Sequence, residues 1–209
     1  MLTALIFRPS DREIEAMIHA NPFALVISNA CGRLNATPIP LLLDKETNGG
    51  WVLIGHFGRT NPQIAQLQDT PRALIIFQGA HGYISPSWMR DRTQAPTWNY
   101  MMVQFQADIR FDFGVDHAVT AVDRLSSAME AGRAKAWSPE EMGPRHSRLA
   151  QGVVAFRATV VETDAKFKLG QNERLDVLED ILQGLDPVTQ SDLRTAMVHA
   201  NLERRGGGR

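Results

Sequence analysis

The segment from Tyr100 to Phe113 constrains the fold more than any other. Val103, Phe105, Ala107, Ile109 and Phe111 recur at every second position along it. Period two sends successive side chains to opposite faces of an extended chain, so this is a long strand with one buried face. Shorter apolar runs separated by turn residues surround it. Phe23 to Ser28, Trp51 to Phe57, Arg72 to Gln78, Gly82 to Ser85 and Gly152 to Glu162 all read as strands. Leu34 to Leu43 reads as a further strand interrupted by Pro38 and Pro40. Proline cannot donate to a ladder, so that strand is expected at an edge or at a bulge. Asn29 to Gly32 and Lys45 to Gly50 are the expected turns.

Helices are expected around this sheet. Ser10 and Glu13 have the spacing of a capping box, and Ile14, Met17 and Ile18 follow on one helical face. Thr60-Asn61-Pro62 looks like a second helix start. Ala118, Val122, Leu125 and Met129 share a face. From Glu173 to about Leu202 the pattern is helical, broken at Asp186-Pro187, and the tail ERRGGGR is expected to be disordered. No alternation of strand and helix of the βαβ kind appears. The fold class is therefore mainly β with peripheral helices, an antiparallel barrel or sandwich. One domain over residues 1–209 is expected, with helices at about 173–204 packed on its side.

Charge and composition narrow the function. The chain has 209 residues, 44% of them apolar, and a formal net charge of -1. A dedicated nucleic-acid binder carries a basic excess to neutralise phosphates, and this chain as a whole does not. The one cysteine, Cys31, cannot form an intrachain disulfide, which suits a reducing compartment. No apolar run approaches the ~20 residues of a membrane span, and the first residues lack a signal-peptide pattern. A cytoplasmic protein without membrane contact is expected. The common nucleotide and zinc motifs are absent, and no Ser-His-acid set is apparent.

Four stretches carry more polar chemistry than a core needs. In GHFGRTNP, His56, Arg59, Thr60 and Asn61 sit where a strand gives way to a helix, a junction that offers amides and a guanidinium to an anion. Capping and a surface arginine explain the same letters. In FQGAHGYISPSW, Gly79 and Gly82 suit a tight turn, and Gln78, Ser85, Ser87 and Trp88 flank it. His81 is more readily a structural histidine than an acid or base. In PTWNY, Thr97, Trp98, Asn99 and Tyr100 offer a stacking surface for a planar heterocycle, or plug the end of a barrel. In KFKLGQN, alternation puts Lys166 and Lys168 on one side of a strand, with Gln171 and Asn172 beyond. Two such cations meet a phosphate or snorkel at an exposed strand end.

Taken in this order, GHFGRTNPQ, FQGAHGYISPSW, PTWNY and KFKLGQN resemble the PaiB-type FMN-binding negative transcriptional regulators. The resemblance runs from about Asn21 to about Asn172. It implies an FMN-binding split β-barrel related to pyridoxamine-phosphate oxidases and flavin reductases, a homodimer, and FMN at the subunit interface. The cofactor-binding residues it points to are His56, Arg59, Thr60, Asn61, Gln78, Ser85, Ser87, Trp88, Thr97, Trp98, Asn99, Lys166, Lys168, Gln171 and Asn172. Arg59, Lys166 and Lys168 lead as phosphate contacts. The chain departs from the family pattern at Met89, where an aromatic residue is usual, and at Gln104, where a histidine is usual. Gly170 replaces a serine, Glu173-Arg174 replaces Arg-Pro, and Pro38-Ile39-Pro40 replaces His-x-Pro.

Three functions follow from the resemblance: an FMN-binding regulator, a flavin-dependent oxidoreductase, or a dimeric binding module that has lost flavin. Fold alone does not separate them. The charge balance and the absence of a basic recognition helix argue against simple direct DNA binding by this domain, and a regulatory role would take an indirect route or a local basic patch. No side chain stands out as a nucleophile or essential base, so any turnover is expected to be redox at the flavin.

Overall fold

The computed structural model describes residues 4–30, 32–47 and 49–206. Cys31 and the tail residues 207–209 lie outside the described residues. The helix expected after Ser10 is α1 (Asp11–Ala20). Its capping box is reciprocal: the Glu13 amide donates to Ser10 Oγ at 3.4 Å and the Ser10 amide donates to Glu13 Oε2 at 2.7 Å. Ile14, Met17 and Ile18 are its buried face.

Seven strands follow the expected order: β1 (Phe23–Ala30), β2 (Arg33–Pro40), β3 (Leu42–Lys45), β4 (Trp51–Gly58), β5 (Arg72–Ile84), β6 (Thr97–Asp112) and β7 (Val153–Lys168). They form one sheet in the order β2-β1-β5-β6-β7-β4-β3. The pairs β1–β2, β1–β5, β3–β4 and β4–β7 are antiparallel. Between them lie α2 (Gln63–Asp69), α3 (Val115–Glu130) and α4 (Arg145–Ala150), and after β7 come α5 (Leu175–Gly184), α6 (Ser191–Ala200) and α7 (Leu202–Gly206).

Three expectations are corrected. The run from Leu34 to Leu43 is not one strand. It divides after Pro40, and its halves become β2 and β3, the two edges of the sheet. Edge positions are where strand prolines are tolerated. Gly79 and Gly82 do not make a turn, since β5 runs through both without interruption. They are small because neighbours come close. A Cβ on Gly79 would lie 3.0 Å from Met17 Cγ, and one on Gly82 would lie 2.8 Å from a Leu193 methyl. Finally, the start of the ERRGGGR tail is helical to Gly206. Its Arg204 donates to the Gly170 carbonyl at 3.2 Å and to Asn201 Oδ1 at 2.7 Å, contacts that hold the chain there.

The chain divides into two compact units, and β5, β6 and β7 contribute residues to both. One unit comprises Ile18–Phe77 and Gln104–Thr163. Its core is built on Val26, Leu53, Phe57, Ile75, Phe77, Phe105 and Phe156, all under 2% exposed. The rings pack tilted or edge to face, with Phe57 and Phe156 at 5.1 Å and Phe77 and Phe105 at 6.0 Å between centroids. The other unit comprises the chain up to Met17, Gln78–Val103 and everything from Asp164 on. Its apolar centre is Val177, Leu178 and Ile181 of α5 with Leu193 and Met197 of α6. Each helix repeats its buried positions at three and four residues, as an amphipathic helix must.

Candidate functional site

The expected site residues fall into two sets, one in each unit. In the first, β4 ends at Gly58 and the chain turns through Arg59–Pro62 into α2. Most polar side chains there are engaged by the protein itself. Arg59 donates from Nε to the Gln151 carbonyl at 2.6 Å and from Nη2 to the Val153 carbonyl at 2.9 Å, and its amide donates to Gly152. It clasps the start of β7. Asn61 Oδ1 accepts from the Gln63 amide at 2.9 Å, and its Nδ2 donates to Thr37 Oγ1 at 2.9 Å. Thr60 is exposed. Gln63, which sequence reasoning passed over, is 1% exposed. Its Nε2 donates to Ser28 Oγ, to the Asn35 carbonyl and to the Val26 carbonyl at 2.9, 3.1 and 3.3 Å, and its Oε1 accepts from Thr37. The clue was its place in the first turn after Pro62, where a polar residue faces the strands its helix covers.

His56 differs from its neighbours. It pairs with Ala155 across β4 and β7, and its Nδ1 is buried with no hydrogen-bond partner. Burial pushes its pKa below the ordinary value, so the neutral imidazole is favoured. An unpaired buried polar atom costs ~1–3 kcal/mol. A ligand atom that pairs with it removes that cost.

The second set is larger. Gln78 is exposed, with Nε2 3.2 Å from His81 Nδ1. Ser85 Oγ accepts from the Ser87 amide at 3.2 Å and lies 2.7 Å from Ser87 Oγ, which starts the short 3-10 turn Pro86–Trp88. Trp88 packs against Gly184, where an added Cβ would come within 2.4 Å of the indole. The following loop is tied to α5 by Asp180, a carboxylate on that helix's buried side. Asp180 accepts from the Arg90 amide at 2.8 Å and from Arg90 Nε at 2.9 Å. This anchor was also missed. Its signal in the sequence was spacing: Asp180 falls three residues after Val177 and beside Ile181, on the apolar face of the helix. Asn99 is 2% exposed, with Nδ2 3.5 Å from Met197 Sδ. Gln171 closes the end of β7 on itself, accepting from the Leu169 amide and donating to the Phe167 carbonyl, each at 2.7 Å.

What remains faces outward around the end of β7. Lys168 Nζ donates to Thr97 Oγ1 and, at 3.2 Å, to the Trp98 carbonyl. Burial lowers its pKa and nearby Lys166 lowers it further, while Glu173 acts against both. Lys166 Nζ stands 5.7 Å from the Phe7 ring centre and 5.9 Å from that of Tyr100. Trp98 is 55% exposed and meets Tyr83 edge to face at 6.0 Å. Thr97, Lys168, Asn172 and Glu173 line a cavity of about 260 Å³ whose apolar wall is Ile84, Met89 and Ile181. Met89, where relatives are expected to carry an aromatic residue, is thus part of that wall. Gly170, in place of serine, has φ 82, a left-handed conformation that glycine alone adopts without strain. Among the described residues no group of three His, Cys, Asp or Glu side chains could hold a metal.

Residues 1–162 match the family described as "Putative FMN-binding domain", and the chain belongs to that family. Its cofactor is FMN. Lys166, Lys168, Gln171 and Asn172 lie beyond the matched residues. The chain is 29% identical over 181 residues to the protease synthase and sporulation protein PAI 2 of Bacillus subtilis, covering 84% of this chain and 86% of that protein. Among solved structures it resembles the flavocytochrome Anf3 of Azotobacter vinelandii at 14% identity and a TM-score of 0.60, over 78% of this chain and 69% of that one. It also resembles the FAD and heme binding protein of Mycobacterium smegmatis at 17% identity and a TM-score of 0.56, over 86% and 80% of the two chains. These likenesses show the fold, the open seven-stranded antiparallel sheet of a split β-barrel. Among the described residues no helix is long and apolar enough to cross a membrane.

Proposed function

We propose that this chain is an FMN-dependent regulator of gene expression of the PaiB type, acting as a cytoplasmic homodimer. The observation that carries the flavin site is the pair of lysines at the end of β7. Lys168 reaches Thr97 at the cavity wall, and Lys166 lies over two aromatic rings. A phosphomonoester is a doubly charged oxyanion, and two ammonium groups with a hydroxyl form a suitable donor set for it. The exposed indole of Trp98 matches another need of a flavin, an apolar face. FMN, when bound, supplies hydride and electron chemistry. The protein's part is to bind it, orient it and exclude water.

The sporulation-linked name of the Bacillus relative supports the regulatory half of the reading. A formal net charge of -1 favours an indirect route to transcription over a dedicated DNA-binding surface. Exposed apolar side chains support association of two copies, with Phe23 at 64%, Leu34 at 70% and Val161 at 54% exposure. Because β5, β6 and β7 contribute to both compact units, we read the chain as a single domain. One experiment tests the flavin reading: absorbance and fluorescence titration of the purified protein with FMN, alongside sedimentation. Saturable quenching of flavin fluorescence with a dimer is expected. A monomer without flavin affinity rejects it.

A further inference from the structure

A second cavity, about 730 Å³, belongs wholly to the unit made of Ile18–Phe77 and Gln104–Thr163. None of the fifteen residues assigned above to FMN lines it. Its volume falls in the range of small-molecule sites, ~300–1,000 Å³. Its floor is apolar. Ile54 of β4, Phe156 of β7 and Ala121 of α3 are 7%, 1% and 5% exposed. Phe111 stands edge to face with Phe156 at 6.0 Å.

The charges around that floor are unevenly occupied. Asp108 is held by Arg72 through contacts of 2.6 and 3.1 Å. Asp112 accepts from the Gly114 amide at 3.0 Å, and its other carboxylate oxygen stands 2.8 Å from His117 Nδ1. Arg124 donates to Asp44 at 3.1 Å. Asp116 lies in the first turn of α3, where a negative charge complements the helix dipole. Arg110 of β6 and Arg157 of β7 also line the cavity, on neighbouring strands; neither side chain makes a hydrogen bond or ion pair among the described residues, while Arg110 acts electrostatically on Asp108 and Arg157 on Asp44. Two guanidiniums with no hydrogen-bonded partner thus line the same cavity as the apolar floor, with the carboxylates of Glu46 and Asp116 also in its lining. Guanidinium is the group that grips a planar carboxylate through paired N–H donors.

We propose that this cavity binds a small organic acid: a carboxylate carried on an apolar, aromatic body, with Arg110 and Arg157 on the carboxylate and Phe111, Phe156 and Ile54 against the body. The site is independent of the flavin and gives the protein a second small-molecule input.

Calorimetric titration with benzoate, phenylacetate and 4-phenylbutyrate, each against its uncharged alcohol and against inorganic phosphate, tests this. At least one acid is expected to bind with a dissociation constant on the order of 1 mM or tighter, with the alcohol and inorganic phosphate clearly weaker. Arg110→Gln and Arg157→Gln should each weaken it about tenfold or more, the scale of a charged hydrogen bond. Both side chains are exposed and make no hydrogen bond or ion pair among the described residues, so the melting temperature should stay nearly unchanged. FMN titration of the same variants should match the parent. Binding of none of the three acids overturns the proposal, and phosphate binding as tight as the acids removes the apolar half of it. Loss of FMN binding in either variant returns the cavity to the flavin site. A change in sedimentation assigns that face to contact between copies, and either result also overturns the proposal.

Discussion

GHFGRTNPQ and KFKLGQN look alike as sequence. Each puts cations and amides just beyond the end of a strand, and each reads as a place for a phosphate. The structure uses them differently. In the first, Arg59 clasps the carbonyls of Gln151 and Val153, Asn61 caps α2, and Gln63 ties that helix to β1 and β2. In the second, Gln171 closes on its own strand, but Lys166, Lys168 and Asn172 keep polar atoms toward rings, a hydroxyl or a cavity. A polar motif marks a ligand site only where donors remain after the protein's own contacts are made; Lys168 contacts one hydroxyl and one carbonyl, and an ammonium carries three N–H donors. Residue type shows what a side chain can donate, and the fold decides to what.

The sharpest break between the two regions is Gln63→Leu. It removes one buried amide and leaves Ser28, Thr37 and two carbonyls short of a partner. At ~1–3 kcal/mol for each group left unpaired, a loss of about 3 kcal/mol or more is expected in urea denaturation. The folded fraction should keep its FMN affinity. A stable variant would show that the network is dispensable and that the motif is free to serve a ligand.

Much of this contrast could not be read from the sequence, and the reasons are physical. Period-two alternation located β6, and the capping box located α1, because both signals are local. Pro38 and Pro40 marked an edge. They did not show that the chain passes to the opposite edge after Pro40, since that depends on which strands lie between. Gly79 and Gly82 were misread because glycine serves turns and close approaches equally, and the neighbours that matter, Met17 and Leu193, are distant in sequence. The polar letters of both candidate sites were legible. Their partners were not, because Arg59 and Gln151, or Lys168 and Thr97, meet only in three dimensions.

Lys168→Ala tests the other side of the comparison. Its Nζ bonds one hydroxyl and one carbonyl near the surface, so little stability should be lost. FMN affinity should fall by about 1.5–3 kcal/mol, roughly tenfold to a hundredfold, the scale of a hydrogen bond to a charged group. Unchanged affinity would take Lys168 out of the site and leave the cavity beside it unexplained. Arg59→Ala should show the reverse pattern more weakly, with about 1 kcal/mol of stability lost with its two carbonyl contacts and a smaller change in affinity. An affinity loss larger than the stability loss would put the guanidinium on the phosphate after all.

The smallest effect expected belongs to His56, which shares neither habit, being buried yet unpartnered at Nδ1. Burial lowers its folded pKa below 6.5. Above pH 6.5 the imidazole is neutral in both folded and unfolded chains, and its contribution is fully present. As pH falls past that value the unfolded chain takes up a proton that the folded chain resists, and stability is lost down through the folded pKa. The difference in unfolding free energy between the parent and His56→Asn, followed on acidification from neutral pH, should therefore slope against the parent, and the other histidines cancel in the subtraction. A flat difference would mean that His56 titrates as it does in the unfolded chain, so that its burial has no energetic consequence. Repeating the series with saturating FMN connects this to the ligand. If flavin pairs with the neutral ring, it lowers the folded pKa further and the slope persists to lower pH. An identical slope with and without FMN would place His56 outside the flavin's reach.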